Sequence, residues 1–368
     1  MPRFDPPPEI FAPVSSHEPT DAACGQHAAH RADSVLADWR ARALALEEEV
    51  KKAVVGLDRA IRLLTIAVFA RGHVLLEGDV GVGKTTLLRA FARGIGGAYA
   101  RVEGTVDLMP SDLIYYTYIG EDGRPRVDPG PLLRQGEDLA VFFFNEINRA
   151  RPQVHSLLLR VMAERSVGAF NREYRFPHLT VFADRNRVEK EETFEISAAA
   201  RDRFMMEVLI ETPRDPDLQR MLMFDPVFHD VDALVARVGA GVLPYTQLND
   251  IAQLIQEQIQ STDALQQYAL DLWHATRRPA DYGIKVDGAD VDELILAGAS
   301  PRGMSLLLRA ARVAAWLAGR THILPEDLQE VYFETIAHRV FFHPVYELRR
   351  SQVAGALMER IMEKVAAP

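Results

Sequence analysis

Cysteine is almost missing from this chain: Cys24 stands alone among 368 residues. One thiol cannot close an intramolecular disulfide, and there is no Cys cluster to hold zinc. Long apolar runs are missing too. The stretch from Ala60 to Ala70 is 11 residues long and contains Arg62, whereas a membrane span needs about 20 apolar residues. Positive charge is not in excess, since 42 Lys and Arg face 52 Asp and Glu, giving a net charge of −10 and a pI of about 5.6. A chain of that sign gains no general attraction to phosphate backbones or anionic lipids. Charge alone therefore argues against nucleic acid as a partner, and no membrane partner is expected. Residues 1–30 carry acids and prolines where a signal peptide has an apolar segment, so a soluble, cytoplasmic protein is expected.

What is present is ordinary for a globular chain, with 48% hydrophobic and 26% charged residues. The length suits one large domain or two modest ones. Residues 1–32 read as a disordered Pro/Ala-rich tail, because six prolines fall between Met1 and Pro19 and no helical or strand period follows. His17, His27 and His30 in that tail read as solvated side chains. From Asp33 the apolar residues Val35, Leu36, Trp39, Ala43, Leu46, Val50 and Val54 recur at helical spacing. A second helix is expected over Leu57–Ala70. Short apolar strands follow at His73–Glu77, Ala98–Val102, Leu139–Phe144, Leu179–Ala183 and Met205–Ile210. Continuous apolar strands separated by helices predict a parallel sheet buried on both faces. Past about residue 225 the strand signals stop. The expected fold is an α/β domain over 33–225 and an all-helical domain over 226–368.

Gly78-Asp79-Val80-Gly81-Val82-Gly83-Lys84-Thr85 matches the phosphate-binding pattern G-x-x-x-x-G-K-[ST], with a strand before it and a helix after it. Glycines let backbone N–H groups turn inward around a phosphate, and the helix N-terminus adds a favourable dipole. Lys84 would reach the terminal phosphates and the Thr85 hydroxyl would ligate Mg²⁺, with Thr86 beside it. About 60 residues on, the apolar strand Val141-Phe142-Phe143-Phe144 ends in Asn145-Glu146. Side chains at such a strand end face the ligand crevice, which suits Glu146 to deprotonating a water. Asn145 is the second candidate near the cation, although an amide brings it no charge.

Gly72–Gly78 running into the phosphate loop, with Asn145-Glu146-Ile147-Asn148-Arg149-Ala150 downstream, resembles the MoxR family of AAA+ ATPases. It is similar, more distantly, to the ATPase subunit of magnesium chelatase. The resemblance covers roughly residues 45–340 and implies a P-loop AAA+ sheet sandwiched by helices, followed by an all-α lid. It implies ATP and Mg²⁺ as ligands, Asn186 as a sensor of the γ-phosphate, Arg203 as an arginine finger toward a neighbouring subunit, and Arg302 as a second sensor from the lid of the same subunit. Val55-Gly56 resembles the loop that touches the adenine. The family usually has Asp where Asn145 stands, and Asp184, Arg185 and Arg187 also depart from its usual sensor segment. Two outcomes stay open. Either the site binds Mg²⁺ weakly and turns over slowly, or Asp184 stands near enough to supply the missing charge.

Two hairpins are expected, one from Leu113 with a turn at Gly120–Arg124 and one over Ser166–Phe176 turning near Asn171-Arg172. They resemble the inserts of the family's clade, and Tyr115, Tyr116 and Tyr118 form either a partner-gripping patch or a packed hairpin face. The resemblance implies a ring of this chain, most simply a hexamer, which remodels or matures a partner. A von Willebrand factor A domain protein and a client enzyme holding a metal or cofactor are the implied partners. A nucleic-acid motor and a barely hydrolysing scaffold are the other two readings.

Overall fold

The computed structural model describes residues 21–187 and 194–368, with side chains from residue 31 onward. The first helix, α1, runs Asp21–Lys51 and so begins well before Asp33. The expected tail thus gives way to helix across residues 21–32. Ala22, Ala23, Ala28, Ala29 and Ala32 are strong helix formers, and propensity outweighs the missing apolar period. Residues 1–20, His17 among them, lie outside the described residues, as do the side chains of Cys24, His27 and His30.

After α2 (Asp58–Phe69), the chain forms β1 (Val74–Gly78), α3 (Lys84–Ile95) and β2 (Ala98–Glu103). A short α4 (Pro110–Ile114) leads into the hairpin β3 (Tyr115–Ile119) and β4 (Pro125–Pro129). Next come β5 (Leu139–Asn145), α5 (Pro152–Glu164), the hairpin β6 (Ser166–Ala169) and β7 (Arg172–Arg175), then β8 (Thr180–Asn186), α6 (Ala198–Arg201) and β9 (Met206–Ile210). The sheet order is β2-β5-β8-β1-β9, and every pairing within it is parallel. All seven residues of β5 are buried, as an unbroken apolar strand between two helical layers requires. Leu76, Val141, Phe143, Phe182 and Val208 face one layer with α1, α2 and α3, while Leu75, Phe142, Phe144 and Val181 face α5. The β6–β7 turn falls at Phe170-Asn171, one residue before the expected place. Both residues have positive φ, the backbone a two-residue hairpin turn of this hand needs.

The helical part runs from α7 (Pro216–Phe224) through α8 (Val231–Ala236), α9 (Leu248–Gln258), α10 (Asp263–Arg277) and α11 (Val291–Leu294). After β10 (Ile295–Ala297) come α12 (Pro301–Leu317), α13 (Pro325–Ile336), β11 (Phe341–Phe342), α14 (Pro344–Glu347) and α15 (Arg350–Lys364). The lid is therefore not all helix. β10 and β11 pair antiparallel, and strands of three and two residues are too short to leave a period in sequence. α12 packs against α1 and α2: Trp316 donates to the Leu36 carbonyl at 3.0 Å, and its ring lies 5.0 Å from Phe69. Lid and sheet layer thus share one continuous apolar cluster. Among the described residues no helix is long and apolar enough to cross a membrane.

Candidate functional site

The loop after β1 closes on α3 because Gly81 and Gly83 have φ of +82° and +89°, a region that side chains with a Cβ rarely occupy. A Cβ on either would meet nothing within 4 Å, so the loop's concave side stands open. Gly83 caps α3 without any side-chain hydrogen bond, which leaves the first helical N–H groups and their dipole to a phosphate. Asp79 and Val80 are exposed at the loop's tip, Gly78 is buried at its root, and Thr85 lies half-buried in the first turn of α3. Beside the loop is a cavity of about 260 Å³ lined by Val54, Val55, Leu57, Val82, Thr86 and Pro213, among others. Such an apolar slot suits a flat heterocycle. Gly56 does not line it; this glycine packs behind, where a Cβ would stand 2.6 Å from Pro213.

Lys84 is buried and donates to the Gly78 carbonyl at 2.7 Å, the Asp79 carbonyl at 2.9 Å and Asn186 Oδ1 at 2.8 Å. The Asn186 amide in turn donates to Glu146 Oε1 at 3.1 Å. One side chain thus connects the loop lysine to the strand-end acid. Glu146 sits at φ 52°, ψ 51°, an uncommon conformation for a residue with a Cβ. Its N–H donates to Asp184 Oδ1 at 2.6 Å, and its second carboxylate oxygen accepts from Arg149 at 3.0 Å. Gly104 backs this strained turn. Its N–H donates to the Asn145 carbonyl at 2.7 Å, and a Cβ there would fall 2.1 Å from the Glu146 carbonyl oxygen. Gly104 carries no sequence signal, because it acts through the position of β5's end, and Arg149, though inside the Asn145–Ala150 segment, shows its tie to Glu146 only in the fold.

Asp184 lies on the same sheet face as Asn145, 3.9 Å from Lys84 through Oδ2. Burial pushes its carboxyl up to about 6, against the pull of the Glu146 N–H and of Lys84. Residues able to hold Mg²⁺ fit this place in chemical type: the Thr85 hydroxyl, the Asn145 amide and the Asp184 carboxylate all serve a hard cation. On the opposite face Arg185 bonds Glu77 at 2.5 Å and Glu207 at 2.9 Å, with Arg187 3.4 Å from Glu77. The two unusual arginines of the sensor strand are therefore ion-pair partners across β1, β8 and β9.

Arg203 and Arg302 sit together elsewhere. Arg302, at the start of α12, pairs with Asp202 at 2.9 Å, and the Ser300 hydroxyl donates to the same carboxylate at 2.6 Å. Arg339, 1% exposed, donates to Asp202 Oδ1 at 3.1 Å and to the carbonyls of Asp202, Phe204, Met205 and Thr335. Arg203 follows directly, half-buried, donating to the Ala199 carbonyl at 3.0 Å. Arg203 stands just before β9, whose first residue Met206 pairs with Val74, at the end of β1 opposite the phosphate loop, and Arg302 joins it there through Asp202. Arg302 is thus held to the finger segment and not at its own subunit's loop, a partnership 100 residues apart that sequence spacing does not reveal.

Residues 73–206 match the ATPase family associated with various cellular activities (AAA), and residues 288–361 match the AAA lid domain. Protein MoxR of Methylorubrum extorquens is 64% identical over 91% of this chain and 98% of its own length. Protein MoxR of Paracoccus denitrificans is 56% identical over 91% of this chain and 99% of its own. Chaperone MoxR1 of Mycobacterium tuberculosis is 31% identical over 87% and 81%. A crystal structure of a presumed ATPase from Cytophaga hutchinsonii superposes with a TM-score of 0.78 at 28% identity, covering 94% of this chain and 99% of that one.

Proposed function

Because the chain belongs to the MoxR family of AAA+ ATPases, we propose that it hydrolyses ATP at the Gly78–Thr85 loop as a ring of its own copies, most simply a hexamer. The observation that favours this most is the bridge from Lys84 through Asn186 to Glu146. Phosphoryl transfer is catalysed by placing charge and by orienting the attacking water, and this bridge sets both at once. Lys84 balances charge on the terminal phosphates. Asn186 holds Glu146 and reports to it what Lys84 is touching. Glu146 takes the proton of the attacking water, which requires its carboxylate to turn from Arg149. Thr85 and Asn145, with the Asp184 carboxylate beside them, would hold magnesium, which would neutralise and orient phosphate oxygens. Val55 and the slot around it take the adenine, with Gly56 fixing the slot's wall.

Arg203 and Arg302 then act as a pair on the nucleotide of a neighbouring subunit, since one carboxylate, Asp202, adjoins the first and bonds the second. The working surface toward a partner is the pair of hairpins. Tyr116, Tyr118, Ile119, Val127 and Phe170 are exposed there, and the rings of Tyr115 and Phe170 lie 5.4 Å apart. Exposed aromatic and branched residues clustered on hairpin tips suit a protein client. A von Willebrand factor A domain protein and a client enzyme are the partners we propose, as part of maturing or activating a complex. The test is the Glu146→Gln variant. It should retain ATP, release no phosphate, and hold its partner through purification; phosphate release at the parent rate removes Glu146 from the role of base.

A further inference from the structure

We infer that Asp184 gives the magnesium site the negative charge that Asn145 lacks: the carboxylate of this site stands one strand sideways, on β8 instead of at the end of β5. The inference rests on the magnesium–ATP reading above. Register is its first support. β5 and β8 pair with Phe143 opposite Phe182 and Phe144 opposite Ala183, so Asn145 and Asp184 are the next neighbours along the two strands. Strand side chains alternate. Phe143 and Phe182 both lie in the cluster beneath α3, and two residues on from them come Asn145 and Asp184. The pair therefore shares the face on which Lys84 and Thr85 open α3.

Chemistry is the second support. Asp184 is 2% exposed, and a carboxylate at that depth is costly unless its charge is used. Its Oδ1 accepts the Glu146 N–H at 2.6 Å. That task needs no charge, since an amide oxygen would accept the same bond. Its Oδ2 stands 3.9 Å from Lys84 Nζ, beyond hydrogen-bond length. The Lys84 ammonium already places donors on Gly78, Asp79 and Asn186. One oxygen is thus a strut for Glu146, and the other carries charge toward the loop that holds phosphate. Sequence shows the same exchange: an amide where an acid usually precedes Glu146, and an acid inside the sensor segment.

An Asp184→Asn substitution separates the two duties, because it keeps an acceptor for Glu146 and removes the charge. The probe is Mn²⁺, titrated against nucleotide-bound protein by electron paramagnetic resonance, beside fluorescent-ATP binding without metal. Asp184→Asn should raise the Mn²⁺ concentration for half-saturation by about 10–100-fold, the usual cost of an altered partner around a metal. Its metal-free nucleotide affinity should equal or exceed the parent's. The exchange Asn145→Asp with Asp184→Asn should return half-saturation to within about threefold of the parent. Half-saturation of Asp184→Asn within about twofold of the parent overturns the inference, as does an exchange no tighter than the single variant. Where Asp184→Asn alone does not fold, the charge-conserving exchange decides: half-saturation within about threefold of the parent supports the inference, and a shift of about tenfold in either direction overturns it. A parent that binds nucleotide without metal dependence also overturns it, leaving nucleotide binding intact. A parent that binds no nucleotide sinks the ATPase reading itself.

Discussion

Replacing Asp202 with Asn should destabilise the fold and silence the site, whereas removing its partner Arg302 should do only the second. Asp202 receives Arg302 at 2.9 Å, Ser300 at 2.6 Å and Arg339 at 3.1 Å. The three pairs are unequal. Arg302 is about half exposed, so solvent screens its ion pair and the contribution to stability is at most about 1 kcal/mol. Arg339 is fully buried, and Asp202 is the carboxylate that offsets its charge. Stripping one partner from a buried pair costs about 3–5 kcal/mol. Asp202 keeps 20% exposure, and Arg339 keeps its four carbonyl acceptors, so the cost falls just below that range, at about 2–3 kcal/mol. Urea unfolding followed by circular dichroism reads the difference. Arg302→Ala should unfold within about 0.5 kcal/mol of the parent while losing most ATPase activity. An Asp202→Asn variant as stable as the parent would refute the reasoning, because it would mean the carbonyls alone hold Arg339.

Three further outcomes are expected. Lys84→Ala should lose nucleotide binding by fluorescent-ATP titration, since it removes the cation from the loop and a charged contact of this kind is worth about 1.5–3 kcal/mol; affinity within a few-fold of the parent counts against the site. Mixing Arg203→Ala protein with Glu146→Gln protein should restore part of the ATPase activity, and inactivity at every ratio would argue that the finger does not serve a neighbour. His73 is buried and neutral, with Nδ1 accepting the Val181 N–H at 2.9 Å and Nε2 at 3.2 Å from the Met162 carbonyl. Burial pushes its pKa down to about 3, while the unfolded chain's histidine titrates near 6.5. Below that value the unfolded state gains a proton the fold refuses, so stability is complete above about pH 6.5 and falls as pH drops toward 3, by up to about 1.4 kcal/mol per unit from this group. A His73→Gln variant should show a shallower decline between pH 6 and 5, and an unchanged slope would refute the assignment.

The phosphate loop, its flanking strand and helix, and the acid at the end of β5 were legible in sequence because each is a local pattern read within a dozen residues. Register was not legible. That Asp184 adjoins Asn145 depends on how β5 and β8 slide against each other across some 40 residues, and the sequence left two outcomes open there. The Arg302–Asp202 pair was hidden for the same reason, at greater distance. The early start of α1 escaped because alanine propensity builds a helix without an amphipathic period. The β10–β11 ribbon escaped because it is only a few residues long.

The apolar cluster joining α1, α2 and α12 to the sheet has a mechanical consequence. A lid that swings about a hinge needs a seam, a plane along which few apolar side chains cross. Here Trp316 lies against Phe69, Trp39 lies 6.2 Å from that same ring, and Arg309 reaches the Ala70 carbonyl at 2.5 Å. Prying the two parts open would wet all three, at roughly 25 cal/mol for each Å² of apolar surface exposed. The chain is therefore expected to behave as one stiff lever. Hydrogen exchange should find α2 and α12 opening as one cooperative unit. In the ring proposed above, such levers would do their work where they touch, and the force of each hydrolysis event would be delivered at the joints between subunits.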